Sequence, residues 1–272
     1  MLDGLVKTFQ GNPELNDSLL TLPLTFLIRG DLHRRRFRFN LALQDLEKGL
    51  KIAEDFQKKE STGIMATRAN EAYAKIMNAI GLVYEQANSP KQALDCYKRC
   101  LETVQEKQLT IDTATFHQNI ADTLKQLGSM DDALIHYTKS LEIREILHSE
   151  DTVREDIATV LYHIALTQFM CGRPKEASKT LDKLLPLRIN LLKKGGSLQN
   201  FCAAITLKGN CHIVQPGEAE KAKEAYEEAE KVLKKITGGQ PSQDYASVIT
   251  QIGVICYFLA FINISIICLC RA

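Results

Sequence analysis

One spacing recurs along this chain and narrows the folds open to it. A small residue is followed about a dozen positions later by an alanine, and four beyond the alanine stands a bulky side chain. The sets are Gly30, Ala42 and Leu46; Gly81, Ala93 and Tyr97; Ala121, Ala133 and Tyr137; Ala165, Ala177 and Leu181; and Gly209, Ala222 and Tyr226. The first four offsets are 12 residues (93 − 81, for example), and the fifth is 222 − 209 = 13, across "QPGEAE", a turn long enough for one extra residue. Seven beyond the alanines come Gly49, Cys100, Ser140, Leu184 and Ala229, small in four of the five sets. Residues four apart share a helix face, so each alanine and its bulky partner point the same way. Two antiparallel helices that approach closely need a small residue on each and a bulky one beside the contact. The breaker clusters "NSP", "GSMDD", "GRP" and "QPG" fall between the periodic stretches and supply the turns. A helical hairpin of this size cannot bury its apolar face alone, so the pattern predicts an all-α chain of stacked pairs.

The stretch "NAIGLVYEQANSPKQALDCYKRCLE" carries Ile80-Gly81-x-x-Tyr84 and then Ala93-x-x-x-Tyr97. This resembles the tetratricopeptide repeat, with L-G-x-x-Y on a first helix and A-x-x-x-F on a second. The likeness covers roughly residues 24–258. Successive alanines from the second set on fall 133 − 93 = 40, 177 − 133 = 44 and 222 − 177 = 45 apart. These periods exceed the usual ~34 residues and are similar to the longer repeats of kinesin light chains. The resemblance implies a right-handed α-solenoid of antiparallel helix pairs, about five repeats with a partial sixth. Residues 1–23 are then an N-terminal extension and 259–272 an apolar tail. The interval of 93 − 42 = 51 after the first alanine departs from the pattern. Its segment "EDFQKKESTGIMATRANEAYAK" reads as either a lengthened helix pair or a loop.

The resemblance also implies a function: a non-catalytic protein–protein interaction scaffold or adaptor whose first helices line a groove for a peptide or a partner helix; the alternatives are a tail-anchored membrane adaptor with the same groove and a purely structural subunit of a larger complex. Inward positions lie three before, two before and one after each small residue, and one turn later. They select Asn78, Ala79, Leu82 and Glu85; Gln118, Asn119, Asp122 and Lys125; Tyr162, His163, Leu166 and Phe169; and Thr206, Leu207, Asn210 and Ile213. The groove candidates are Asn78, Gln118, Asn119, Asp122, Tyr162, His163, Phe169 and Asn210. Asn119 leads them: the resemblance implies that an Asn just before the hydrophobic-small pair meets a bound peptide's backbone, and its one amide offers a donor and an acceptor that match a peptide unit. Tyr162, His163 and Phe169 read either as an apolar pocket wall beside it or as packing against the next repeat. "LKGNCH" is similar to the start of a carboxylate clamp, but Lys208 directly precedes Gly209 and so lies off the inward face.

Composition agrees with this and narrows the rest. The net charge of +1 supplies no general field for nucleic acid, and none is expected as a partner. The one concentrated basic stretch, "HRRRFRF" at 33–39, could touch acidic partners, phospholipid or RNA phosphate, although exposed arginines are ordinary at a helix end. No phosphate-binding loop, nucleophile elbow or H-E-x-x-H is present, and no two of the six histidines stand four apart. No enzyme, metal or cofactor is therefore expected. The eight cysteines include no CxxC and read as small buried hydrophobes in a reducing compartment. The N-terminus lacks a basic segment followed by an apolar run, so a cytoplasmic location is expected. Residues 252–270 carry one Asn, one Ser and no charge, about the length that spans a bilayer. Gly253 lies 253 − 209 = 44 beyond Gly209, in phase with the repeats. The favoured reading is the first helix of a sixth repeat that breaks off near Phe258. The alternatives are a membrane anchor through 252–270 that leaves the chain facing the cytosol, and a buried capping helix.

Overall fold

The structure is a computed structural model that describes residues 21–59, 63–104, 109–147 and 155–237, together with Ala246 and Thr250. The apolar tail and most of the N-terminal extension lie outside the described residues. Among the described residues there are ten helices and no strand. They divide into two compact units, Met1–Leu147 and His148–Ala272. The first unit holds α1 (Thr21–Arg35), α2 (Phe39–Lys59), α3 (Gly63–Gln86), α4 (Pro90–Val104), α5 (Ile111–Gln126) and α6 (Met130–Leu147). The second holds α7 (Glu155–Met170), α8 (Pro174–Lys193), α9 (Leu198–Ile213) and α10 (Ala219–Thr237). Each odd-numbered helix packs on the even-numbered helix that follows it, and each pair stacks on the next within its unit. Among the described residues no helix is long and apolar enough to cross a membrane.

The repeated spacing has a clear physical content. Ala42, Ala93, Ala133, Ala177 and Ala222 are all fully buried, as are Leu46, Tyr97, Tyr137, Leu181 and Tyr226. The glycines of the first helices seat these bulky side chains. A Cβ on Gly81 would lie 2.4 Å from the Tyr97 ring, one on Gly209 2.1 Å from the Tyr226 ring, and one on Gly30 2.7 Å from Leu46. What the small residue admits is thus a side chain of the partner helix as well as its backbone. Gly81→Ala should lower the unfolding free energy by about 1–2 kcal/mol in a urea titration. The ~1 kcal/mol gained in helix propensity is outweighed by displacing a fully buried ring.

The turns are equally regular. Arg38, Ser89, Ser129 and Arg173 each donate their backbone N–H to the carbonyl five residues back, at 2.8–2.9 Å. This is the bond that closes a helix C-terminus after a residue of left-handed conformation. That residue is Phe37 (φ 57°), Asn88 (58°), Gly128 (85°) and Gly172 (72°). The carbonyl of the next residue then accepts from the repeat alanine: Ala42 from Arg38, Ala93 from Ser89, Ala133 from Ser129 and Ala177 from Arg173, at 3.0–3.1 Å. One residue thus ends the first helix and caps the second, which fixes the 12-residue offset. In the fifth set Gly217 (φ 80°) takes the left-handed position and Ala222 bonds Glu218, one residue later than in the others.

The long interval after Ala42 is a lengthened helix pair. Helix α2 runs to Lys59 and α3 starts at Gly63, with Gln57 Nε2 donating to Asn70 Oδ1 at 2.9 Å between them. Three of the residues seven beyond the alanines meet first-helix backbone. Ser140 Oγ donates to the Ala114 carbonyl at 2.7 Å, and Cys100 Sγ lies 3.2 Å from the Ala74 carbonyl. A Cβ on Gly49 would stand 3.2 Å from the Pro23 carbonyl. Burial pushes the Cys96 and Cys211 thiols up to about 11 and raises that of Cys100 as well. Cys96, Cys100 and Cys211 should therefore react with a maleimide at pH 8 roughly two orders of magnitude more slowly in the native chain than in urea, as read residue by residue by mass spectrometry.

Candidate functional site

The inward positions of α3 and α5 form one partly exposed row within the first unit. Asn78, Leu82 and Glu85 come from α3, and Gln118, Asn119, Asp122 and Lys125 from α5. Their hydrogen bonds separate groups that are already engaged from groups left to face solvent. Asp122 accepts from the Tyr137 hydroxyl at 2.5 Å and from Lys125 Nζ at 3.1 Å, and Lys125 Nζ lies 3.0 Å from the same hydroxyl. In the preceding repeat the Tyr97 hydroxyl donates to Glu85 Oε2 at 2.9 Å. Burial, together with the neighbouring carboxylate, raises both phenols well above the ordinary tyrosine value, so they remain donors. The second-helix tyrosine thus does two things. Its ring fills the helix contact, and its hydroxyl pins an acidic side chain of the row. Gln118 is held from behind by Arg144 Nη2 at 3.0 Å.

Asn78 and Asn119 differ. Asn119 Nδ2 donates to Asn78 Oδ1 at 2.7 Å across two adjacent repeats. Each residue is partly exposed and makes no other side-chain hydrogen bond among the described residues. The linked pair therefore keeps the Asn119 side-chain oxygen as an acceptor and the Asn78 side-chain N–H groups as donors for a ligand. Asn78 lies three before Gly81 and Asn119 two before Ala121, so the bond runs diagonally between register positions. Ala79 and Leu207, in the register of Asn119, are buried.

In the second unit Tyr162 and His163 meet edge to face, with ring centroids 6.1 Å apart and planes at 82°. Burial raises the Tyr162 phenol, against the opposing charge of Arg188. Phe169 and Asn210 are partly exposed on α7 and α9. Lys208 is ion-paired with Asp182 on α8, which accounts for its place off the inward row.

Two arrangements escaped the sequence pattern. Arg144 and Arg188 stand eleven beyond Ala133 and Ala177 (144 − 133 and 188 − 177), and both are buried. Arg144 donates to Ser140 and Gln118, and Arg188 to Glu155 and Thr159. Their shared register was the available signal. His117 and His136, 19 residues apart, place their Nδ1 atoms 2.9 Å apart across the contact of α5 and α6. Among the described residues no group of three or more His, Cys, Asp or Glu side chains is placed to hold a metal.

Comparison with known proteins follows the same lines. The tetratricopeptide-repeat family model matches residues 74–103 and 114–146, the second and third repeats. No curated protein matches the chain. Among solved structures, BtubC (BKLC) from P. vanneervenii superposes with a TM-score of 0.72 at 17% identity, over 89% of this chain and 91% of that one. A putative kinesin light chain from Podosopora anserina with nearly identical TPR-like repeats gives 0.61 at 12% identity, over 81% and 98%. The MamA protein gives 0.56 at 13% identity, over 83% and 98%. At these identities the likeness is one of fold. Two repeats thus match the tetratricopeptide-repeat model in sequence, and the helical hairpins share their fold with kinesin-light-chain-like structures.

Proposed function

We propose that the chain is a non-catalytic adaptor that binds an extended peptide along the α3–α5 row of its first unit. The observation that carries this reading is the Asn78–Asn119 pair. Two side-chain amides are bonded to one another at 2.7 Å, and these partly exposed residues keep an acceptor and a donor with no partner among the described residues. A peptide unit presents the complementary N–H and C=O, and preorganised amides bind it without an ordering cost of their own. The neighbouring charges are mutually satisfied, Asp122 by Lys125 and Tyr137 and Glu85 by Tyr97. The row thus favours backbone recognition over the capture of a strongly charged ligand. Leu82, partly exposed between Asn78 and Glu85, gives one apolar contact. Tyr162, His163, Phe169 and Asn210 are the candidate residues of the second unit, taken by itself. The reading places the protein in the cytoplasm, with a protein or peptide as its partner.

The test is a peptide array probed with the full chain and with Asn119→Ala. Loss of the Asn119 amide should weaken the selected peptides about tenfold, on the order of one well-placed hydrogen bond to a peptide group. Urea unfolding should change little, because Asn119 is partly exposed. A variant that binds the same peptides as strongly as the parent would overturn the assignment.

A further inference from the structure

The turn between α1 and α2 breaks the rule that the other turns keep. Its left-handed position holds Phe37 (φ 57°), where the later hairpins have Asn88, Gly128, Gly172 and Gly217. A side chain with a Cβ is strained in this conformation, and an aromatic one gains no local hydrogen bond in return. Burial does not offset the strain, since Phe37 is 76% exposed, the highest value among the exposed large hydrophobic residues described. Its ring rests edge to face on Phe39, with centroids 6.2 Å apart. Fold stability alone would therefore favour glycine here.

The flanking residues supply charge. Arg35, Arg36 and Arg38 are exposed. Asp31 is shared by Arg34 at 2.6 Å and Arg35 at 2.6 Å, while Arg36 and Arg38 have no carboxylate partner among the described residues. The backbone N–H groups of Arg36, Phe37 and Arg38 are used within the turn, donating to the carbonyls of His33 and Arg34. What the turn offers outward is thus an exposed aromatic ring flanked by two exposed arginines. Leu41, in the first turn of α2, is exposed as well.

We propose that this turn is a docking tip for the surface of an anionic phospholipid bilayer. An aromatic ring on a convex tip can sit at the boundary of headgroups and acyl chains, while arginines beside it reach lipid phosphates. A nucleic-acid strand needs a track of cations over successive phosphates, and an acidic peptide needs a cleft. The turn offers neither, and the chain's net charge of +1 gives no wider field.

The full chain is sedimented with vesicles of phosphatidylcholine alone, and with vesicles containing about 30% phosphatidylserine to supply the anionic surface. It should bind the anionic vesicles in a salt-sensitive manner and the neutral ones at least tenfold more weakly. This contrast in lipid charge separates the tip from any uncharged apolar segment of the chain. Phe37→Gly relieves the backbone and removes a mostly exposed ring, so its melting temperature should equal or exceed the parent's. Its vesicle affinity should fall on the order of tenfold with the loss of ring insertion. Arg36→Gln/Arg38→Gln should lower affinity roughly 30-fold, about fivefold per arginine. Asn119→Ala should leave vesicle binding unchanged, which keeps this test separate from the peptide-binding face. Equal binding to both vesicle types, no binding to either, or full affinity in Phe37→Gly would each overturn the proposal. So would tighter binding of the same tip to polyuridylate or polyglutamate.

Discussion

Ala133→Arg is expected to lower the unfolding free energy by about 3–5 kcal/mol, whereas Lys139→Arg, on the same helix, should stay within about 0.5 kcal/mol. Ala133 is fully buried, and its backbone N–H bonds the Ser129 carbonyl that caps α6. One turn on is Tyr137, fully buried, with its hydroxyl tied to Asp122 and Lys125. An arginine at 133 has to displace a packed helix and bring a charge into a fully buried contact. Lys139 is only partly buried, and the substitution keeps its charge. Urea titrations followed by circular dichroism at 222 nm compare the two directly. Similar unfolding free energies would show that the alanine positions are not the close contacts of the hairpins.

The same residues show how much of the fold was legible in the sequence. The alanine and the bulky residue four beyond it were readable because burial at those points depends on side-chain size, and size is written in the sequence. The turns were readable in place, since their breaker residues stand out. The role of the left-handed position was not, because it is filled by Gly, Asn and Phe and no one residue type marks it. The segment from 54 to 75 stayed open between a helix pair and a loop. Its "KKESTG" breaks the periodicity, and the packing of α2 against α3, with Gln57 bonded to Asn70, carries both helices up to that break.

The candidate site was legible as a row but not as a set of engaged and unengaged groups. Gln118, Asn119 and Asp122 look equivalent as polar residues on one helix face. Their partners come from elsewhere: Arg144 for Gln118, Asn78 for Asn119, and Tyr137 for Asp122. Two of these partners come from the second helix of the same pair, 26 and 15 residues on, and one from the previous repeat, 41 residues back. Such contacts depend on how hairpins stack, which a spacing within one helix does not encode. The buried arginines were missed for a related reason. Arginine on a helix reads as solvated surface, yet Arg144 and Arg188 are interior and bonded to the first helix of their own pair.

That burial leads to the second large effect, in the second unit. Arg188 is 5% exposed, and its Nε is buried without a partner. Its Nη1 is ion-paired with Glu155, at the start of α7, and its Nη2 lies 3.4 Å from Thr159 Oγ1. Glu155 also accepts from Asn200 Nδ2 at 3.0 Å, so one carboxylate joins α7, α8 and α9. Removing it leaves a guanidinium in the interior with one weak neutral partner. Fully buried pairs broken in this way lose about 3–5 kcal/mol. The Glu155 side chain is 43% exposed, so water enters when it is cut back, and about 2–3 kcal/mol is the expected loss for Glu155→Ala. Arg188→Met removes the charge and keeps an unbranched stem in the packing, so alone it should cost less, about 1 kcal/mol. In the Glu155→Ala background Arg188→Met should be stabilising, because the charge it removes no longer has a carboxylate. A thermodynamic cycle of the four chains, measured by urea unfolding, decides the matter through the sign of that last step. If Arg188→Met destabilises in both backgrounds by the same amount, Arg188 acts through its packing alone, and Glu155 is an ordinary surface carboxylate.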